Sequence, residues 1–343
     1  MMHPHAHTPT PLPLRVLAWE ITRRCPMACT HCRGASRNLP YENELSTAEA
    51  FRVIDSLHAI HAHPLIIFTG GEPMYREDLE TIVAYAAQKG FPCALAPCGK
   101  FASRERLQRL KDAGIQALSI SIDGPTAEIH DAFRGIKGAF QFALEAMAAA
   151  RDVGIGFQIN HTVTKETRAT LRAMRDFAIE QKATRIDYFF LVPVGRGAAI
   201  ANLAMDDVET EKALDEILDL DAEGSLPVHV TCAPNIVRKI KERAHAPKSR
   251  FNGCMAGAGF CFLSHLGELQ PCGFFDKSAG NVRDFQLDFP AAFKASELFQ
   301  SLHAGPTGGS CGTCTFRLSC RGCRARAYAL TGDPLTHDPS CHF

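Results

Sequence analysis

Three cysteines near the start of the chain have the spacing of a metal-binding loop. Cys25, Cys29 and Cys32 are separated by three and two residues. Three thiolates on one loop can bind three corners of a cubic [4Fe–4S] cluster, and the fourth iron is then left without a protein ligand. An open iron of this kind can chelate a small molecule, such as an amino acid through its amine and carboxylate. The alternatives are a zinc knuckle with a distant fourth ligand and three free thiols.

A second and larger group of cysteines lies in the last quarter of the chain. Of the 14 cysteines in the sequence, this group contains Cys254, Cys261, Cys272, Cys311, Cys314, Cys320, Cys323 and Cys341. In a chain of this length, so many cysteines indicate metal or redox chemistry. Two Cys-x2-Cys pairs also have zinc-ribbon spacing, so zinc is an alternative to iron–sulfur ligation. We interpret the three others, Cys93, Cys98 and Cys232, as packing thiols.

The segments that must position these groups alternate between short apolar runs and amphipathic stretches. The strand-like runs are 14–22, 64–69, 92–96, 117–122, 157–163 and 187–192. Helix-like stretches lie between them, and one begins at Ser46 or Thr47 with Glu49 in a capping position. Six strand–helix units predict an α/β fold with a parallel sheet, a partial (β/α)6 TIM-type barrel. The site should then lie at the C-terminal ends of the strands.

The composition divides the chain into three parts. Residues 1–13 are rich in His and Pro and are predicted to be a disordered arm. Residues 14–227 form the predicted barrel. Residues 228–343 are dense in Gly, Pro and Cys towards their end, which is typical of a small domain that is held by metal.

Charge and hydropathy exclude some classes of function. Lys plus Arg and Asp plus Glu number 37 each, so no net field recruits nucleic acid or an anionic membrane. No apolar stretch approaches the roughly 20 residues that cross a bilayer. The start of the sequence lacks the charged and apolar regions of a signal peptide. We therefore expect a cytoplasmic protein that has no nucleic-acid or membrane partner.

The motifs after the first two strands resemble those of the radical S-adenosylmethionine (SAM) superfamily. The cysteine loop directly follows the first strand, and 69–73, Thr-Gly-Gly-Glu-Pro, follows the second, as the GGEP motif of that superfamily does. Gly70 and Gly71 let backbone approach a ligand closely, and Glu72 supplies an acceptor for an ammonium group. The resemblance therefore implies a SAM site that includes Gly70, Gly71, Glu72 and Pro73.

Residues at the ends of later strands extend this resemblance. It implies that Ser121 contacts the SAM ribose and Arg134 the methionine carboxylate, with Asp123 and Asn160 as further SAM-site candidates. For Ser121, Asp123 and Asn160 the alternative is ordinary turn chemistry at strand ends. The superfamily commonly has an aromatic residue before its last cysteine. Here that residue is His31, whose ring can still pack on an adenine.

The implied chemistry is reductive cleavage of SAM to methionine and a 5′-deoxyadenosyl radical. That radical abstracts hydrogen from an unactivated C–H bond. A low-potential donor such as a flavodoxin or ferredoxin would supply the electron.

The C-terminal cysteines resemble the SPASM auxiliary-cluster domain. By that resemblance one [4Fe–4S] cluster would be held by Cys311, Cys314, Cys320 and Cys341. The other would be held by Cys254, Cys272 and Cys323, with Cys261 as a possible fourth ligand. The SPASM pattern usually has three residues between the last two cysteines of its run, whereas this sequence has two. This departure leaves the division of ligands between one or two auxiliary clusters open.

Flanking segments resemble the alternative heme-biosynthesis radical SAM enzymes, most closely the heme b synthases that decarboxylate Fe-coproporphyrin. These segments are 17–22, 42–47, 96–99 and 322–333. The resemblance implies conversion of porphyrin propionates to vinyl groups, Fe-coproporphyrin III to heme b. Loss of carbon dioxide leaves one electron, for which an auxiliary cluster is our hypothetical acceptor. Candidate cationic partners for the propionates are Arg196, Arg321, Arg324 and Arg326.

Three other interpretations stay open. The flanking segments are partly shared with a paralogous didecarboxysiroheme deacetylase and other heme maturases. A peptide-modifying SPASM enzyme would have the same two cysteine groups. A non-catalytic zinc or iron–sulfur scaffold would have them too, but it would have no need of a SAM site.

Overall fold

The computed structural model describes residues 12–59, 62–243 and 246–343, so the predicted arm lies almost wholly outside the described residues. The strands within these ranges are β1 (Val16–Thr22), β2 (Leu65–Gly70), β3 (Cys93–Leu95), β4 (Ile115–Ser121), β5 (Gly156–Val163), β6 (Arg185–Phe190), β7 (Val228–Thr231), β8 (Phe260–Leu263) and β9 (Leu269–Gln270). They form one sheet in the order β7-β6-β5-β4-β3-β2-β1-β8-β9. All neighbours are parallel except β8 and β9.

Helices connect the parallel strands. In the first part of the chain they are α1 (Thr47–Ala59), α2 (Leu79–Gln88), α3 (Arg104–Ala113), α4 (Ala127–Arg134), α5 (Ala139–Val153), α6 (Leu171–Glu180) and α7 (Asp207–Glu223). The later helices are α8 (Ile236–Glu242), α9 (Phe289–Ala295), α10 (Glu297–Ala304), α11 (Gly309–Thr313) and α12 (Arg324–Thr331). The predicted cap of α1 is present: Ser46 N donates to Glu49 Oε2 (2.8 Å) and Glu49 N to Ser46 Oγ (3.2 Å).

The predicted α/β fold class is confirmed, and the sheet is wider than the six predicted strands. β7 adds to β6 at one edge, and β8 adds to β1 at the other. The sheet therefore runs across position 227, where the composition changes. The division into 14–227 and 228–343 stays a prediction.

The two faces of β1 separate the core from the site. Leu17, Trp19 and Ile21 are buried in the main hydrophobic core. The alternating residues Glu20 and Thr22 lie on the other face, because successive side chains of a strand point to opposite sides. No helix among the described residues is long and apolar enough to span a membrane.

Candidate cluster and cofactor site

The loop after β1 brings its three cysteines together at the C-terminal end of the sheet. Cys25 and Cys29 are 7% and 8% exposed, and Cys32 packs in the same small apolar cluster. Burial raises the pKa of Cys25 to about 12 and also raises the pKa of Cys29. The free thiols of Cys25 and Cys29 are therefore protonated near neutral pH, and a metal that binds them displaces protons.

The loop after β6 clamps the cysteine loop through backbone contacts. Arg196 donates from Nε to Cys29 O (2.8 Å) and from Nη1 to Ser36 O (2.6 Å), and its backbone N donates to Cys32 O (2.9 Å). Gly195 has φ +58°, and a Cβ there would lie 2.2 Å from Arg33 O. Only glycine allows this approach, so the two loops are held as one unit.

The Gly-Gly-Glu-Pro segment packs against the start of the cysteine loop. Gly71 N donates to Thr22 O (2.9 Å), and a Cβ on Gly71 would lie 2.3 Å from Arg23 O. Glu72 is fully buried, and its carboxylate accepts from Met74 N (2.9 Å) and Cys98 N (2.5 Å). Burial raises the pKa of Glu72. Its carboxylate thus fixes the backbone on which this segment and Cys98 lie.

Helix α4 was not predicted from the residue pattern. Its last residue, Arg134, lies beside the cysteine loop. Arg134 Nη2 lies 2.6 Å from Asp123 Oδ2, and Nη1 lies 3.8 Å from Cys29 Sγ. Burial by itself would raise the pKa of Asp123, but the Arg134 guanidinium beside it holds that pKa below its ordinary value. Among the described residues, Arg134 Nε is buried without a hydrogen-bond partner. One donor is therefore left for a ligand beside Cys29.

A row of polar side chains crosses the four strands from β4 to β7 on one face of the sheet. Ser121 pairs in register with Asn160, Asn160 with Asp187, and Asp187 with His229. Asp187 Oδ2 is 2.9 Å from His229 Nδ1 and accepts from Thr231 Oγ1 at 3.1 Å. Asp187 Oδ1 is buried and has no partner among the described residues. The predicted Ser121 and Asn160 are thus half of a longer row.

His31 presents a flat, neutral ring at the cysteine loop. The imidazole stacks on Phe133 with 4.4 Å between ring centroids and an interplanar angle of 14°. Burial lowers the pKa of His31 to about 4, so the ring is uncharged near neutral pH. A neutral ring is suited to packing on another flat group.

The first predicted C-terminal ligand set shares one cavity. Its lining includes Cys311, Cys314, Cys320 and Cys341. Arg324 is fully buried beside this set, with Nη2 3.6 Å from Cys311 Sγ. A buried guanidinium is therefore positioned directly beside one sulfur atom of this set.

The second predicted set is brought together only in part. Cys272 packs against the apolar cluster that contains the buried Cys323, and Cys254 N donates to Cys320 O (2.9 Å). Cys261 lies elsewhere, because its thiol contacts the carbonyls of Phe262 (3.6 Å) and Gln270 (3.5 Å) within the main core.

Cys232, interpreted from the sequence as a packing thiol, lies where Cys261 was expected. It packs in the same cluster as Cys272 and Cys323. It is isolated in sequence, 22 residues before Cys254, so cysteine spacing gives no sign of this contact.

The four arginines predicted as propionate partners are engaged within the fold. Arg196 binds the cysteine loop, as above. Arg324 donates to Pro334 O (2.9 Å) and Thr336 O (2.6 Å), Arg326 pairs with Asp338 (3.3 Å), and Arg321 donates to Leu302 O. These contacts attach the guanidinium groups to backbone and side chains of the fold, and their role as propionate partners stays a prediction.

Among the described residues, no three His, Cys, Asp or Glu side chains converge as they would around a single metal ion. A four-iron cluster differs in this respect, because each cysteine binds its own corner. The three thiols of the first loop fit a cluster with one open iron. Cys98, whose backbone N donates to Glu72, packs in the same apolar cluster as these thiols.

Comparison with known proteins agrees with this geometry. The Radical SAM superfamily model matches residues 19–178. The AdoMet-dependent heme synthase of Nitratidesulfovibrio vulgaris is 38% identical over 358 residues, covering 99% of this chain and 97% of that protein. This chain belongs to the radical SAM superfamily. It is an enzyme of that superfamily and uses a [4Fe–4S] cluster and SAM.

Two further relatives extend the comparison of this radical SAM enzyme. The Fe-coproporphyrin III synthase of Methanosarcina barkeri is 31% identical over 355 residues, covering 96% of this chain and 88% of that protein. The crystal structure of Streptococcus suis SuiB bound to its precursor peptide SuiA has a TM-score of 0.76 at 16% identity, covering 97% of this chain and 76% of that one. At that identity the likeness concerns the fold alone.

Proposed function

We propose that this radical SAM enzyme acts in alternative heme biosynthesis, where it oxidatively decarboxylates the propionates of Fe-coproporphyrin III to the vinyl groups of heme b. The observation that carries the proposal is the match to an AdoMet-dependent heme synthase over nearly the whole of both chains. Such a match includes the C-terminal cysteines as well as the barrel. A small-molecule porphyrin is therefore the proposed substrate.

Within this proposal, Cys25, Cys29 and Cys32 hold the SAM-binding cluster. The cluster and SAM, when bound, supply abstraction of a hydrogen atom from an unactivated carbon. The unpartnered Nε of Arg134 is a donor for the methionine carboxylate, and Asp123 orients that guanidinium through the 2.6 Å ion pair. Glu72 has both carboxylate oxygens on backbone N–H groups, so it acts on the shape of the segment that includes Gly70, Gly71 and Pro73.

The substrate side of the proposed site is the polar row. Ser121 and Asn160 are proposed to face the SAM ribose. Asp187 and His229 continue that row, and the free Oδ1 of Asp187 can accept a hydrogen bond from a bound molecule.

The test is turnover of Fe-coproporphyrin III by anaerobically reconstituted enzyme with SAM and a strong reductant. We expect the porphyrin to lose two carboxyl groups as carbon dioxide, with one 5′-deoxyadenosine formed per propionate. SAM cleavage with an unchanged porphyrin, together with turnover of a Cys-containing peptide, would contradict the proposal.

A second candidate is supported by the relative named Fe-coproporphyrin III synthase, which this chain also matches over most of its length. Removal of acetate groups from didecarboxysiroheme, with Fe-coproporphyrin III left unchanged, would select that activity. The two substrates should therefore be offered side by side.

A further inference from the structure

Cys232 is held in an unusual backbone conformation at the end of β7. Its φ is +66°, in the left-handed region that side chains other than glycine rarely adopt. The preceding residue, Thr231, is fixed by its hydrogen bond to Asp187 Oδ2 (3.1 Å). Strain of this kind persists where the surroundings impose it, and it is frequent at functional sites.

The conformation directs Cys232 into the group formed by three of the predicted ligands. Cys232 and Cys272 pack in one apolar cluster around the buried Cys323, together with Val192 and Val194. Cys323 is 3% exposed, whereas Cys232 and Cys272 are half-buried. Through Val192 and Val194 this group packs against the loop after β6, which is hydrogen-bonded to the cysteine loop after β1.

Cys254 completes the group. Its backbone N donates to Cys320 O (2.9 Å), which holds Cys254 at the segment that carries Cys323. Four cysteines from four separate segments therefore lie around one region of the fold, spread more widely than the ligands of a single metal ion. Such convergence is typical of a bound inorganic group and unusual for packing thiols alone.

A buried cation accompanies the four thiols. Arg326 is 4% exposed, and its Nη1 lies 3.3 Å from Asp338 Oδ1 and donates to Ser340 Oγ (2.8 Å). Arg326 lies in the first turn of α12, the helix that directly follows Cys323. The fold therefore places a buried guanidinium, paired with a carboxylate, close along the chain to this group of cysteines.

We infer that Cys232 is the fourth cysteine ligand of the inner C-terminal cluster, with Cys254, Cys272 and Cys323. This rests on the proposed iron–sulfur role of the C-terminal cysteines. With four protein ligands the cluster has no iron open to a substrate. It can then exchange electrons with a substrate at a distance but cannot coordinate it, in contrast to the cluster of the first loop.

The test uses full-length protein in which Cys25, Cys29 and Cys32 are alanine, so that only C-terminal clusters contribute signals. Into this parent we introduce Cys232→Ala, and as matched buried controls Cys261→Ala and Cys93→Ala. Each protein is reconstituted anaerobically with iron and sulfide. Iron per chain and the EPR spectrum of the reduced protein are measured with and without imidazole, a ligand for an open iron.

The parent spectrum should be insensitive to imidazole. Cys232→Ala should either lose about four irons per chain, one cluster, or gain a signal that imidazole shifts. Both control variants should match the parent in iron and spectrum. If Cys232→Ala does not fold, Cys232→Ser, which keeps an oxygen ligand, should retain iron and show an altered spectrum.

The inference is overturned if Cys232→Ala and Cys232→Ser match the parent, or if Cys261→Ala shows the iron loss expected of Cys232→Ala. A parent that contains zinc in place of iron also overturns it, and that result contradicts the proposed auxiliary clusters. Porphyrin turnover by the enzyme with its first loop intact is measured separately, so failure of the proposed reaction is distinguishable from failure of this ligand assignment.

Discussion

The ion pair between Asp123 and Arg134 lies directly beside the cysteine loop. It joins the end of β4 to the last residue of α4, and the same guanidinium reaches Cys29 Sγ at 3.8 Å. Both partners are buried or nearly so, so each charge depends on the other for compensation. The Arg134 side chain therefore links the end of α4 to Asp123 after β4 and to Cys29 of the cysteine loop.

Arg134→Gln should lower both stability and SAM affinity. The substitution leaves the Asp123 carboxylate buried without its partner, which typically costs about 3–5 kcal/mol. It also removes the free Nε donor beside Cys29. Denaturant unfolding and equilibrium dialysis with SAM measure the two effects.

Two companion variants separate these effects. Asp123→Asn combined with Arg134→Gln removes both charges, so it should regain part of the lost stability without regaining SAM affinity. Arg172→Gln changes an arginine that is 53% exposed and paired with Glu223, and its stability should stay close to that of the wild type. Full SAM affinity in the double variant would refute the proposed role of Arg134.

Glu49 makes stability depend on acid pH through its contacts with Arg283 and Ser46. The hydrogen bond from Arg283 is the main cause that lowers the pKa of Glu49 from 4.5 to about 2. The carboxylate form is favoured in the folded state, so this contribution is present above pH 4.5 and is lost as pH falls towards 2. Thermal unfolding at several pH values should show less loss over this window in Glu49→Gln than in the wild type. Because the pair is partly exposed, the difference should stay below about 1 kcal/mol.

At the scale of elements, the site depends on two loops that pack against the cysteine loop. Each can come this close only because glycine stands at the contact. A Cβ at Gly195 would collide with Arg33 O, and one at Gly71 with Arg23 O. The loop after β6 and the loop after β2 thus hold the cysteine loop from two sides. The positions of the three thiols follow from the packing of these loops.

Gly195→Ala should therefore reduce cluster binding by the first loop. A matched control is Gly332→Ala, since Gly332 also has positive φ (+78°) but has nothing within 4 Å of its added Cβ. Both variants bear the backbone strain of a left-handed alanine, about 1–2 kcal/mol. Iron content should fall only in Gly195→Ala. Equal iron in the two variants would mean that the loop contact does not position the cysteines.

The repeating elements could be predicted because their signals are local. The six predicted strands and the Ser46–Glu49 cap are present, since apolar runs and capping residues act within a few residues. The eight-residue α4 was missed because it is short and follows turn-like residues. β8 was missed because a four-residue strand gives little local signal, and its partner β1 lies more than 200 residues away.

The same difference between local signals and long-range contacts explains which site residues could be predicted. The spacing of Cys25, Cys29 and Cys32 on one loop is enough to predict them as cluster ligands. Spacing gives no such signal for Cys232, because it joins the apolar cluster of Cys272 and Cys323 only in the folded chain. Asp187 carried a weak signal that could have been used, as a polar residue that interrupts an apolar strand.

At the scale of the whole molecule, the C-terminal segment is part of the main sheet. β8 pairs with β1 along Val16–Trp19, and Leu263 and Phe289 belong to the same core as Leu17. Removing this segment would expose one edge of β1 and part of the core. Exposed strand edges promote association between chains.

A chain that ends at residue 250 should consequently be aggregation-prone, with a lower thermal midpoint than the full chain. Size-exclusion chromatography and thermal unfolding of the two proteins measure this. A monomeric fragment with the stability of the full chain would show that residues up to 250 fold independently, as a separate barrel domain would.

The proposed function depends on a cluster at the first loop in which one iron has no protein ligand and serves as the site of SAM cleavage. The most direct measurement is 5′-deoxyadenosine formed from SAM by anaerobically reconstituted, reduced protein, compared with Cys29→Ala. We predict formation by the wild type and none above background by Cys29→Ala. Zinc in place of iron in the first loop, or equal 5′-deoxyadenosine from both proteins, would contradict the account.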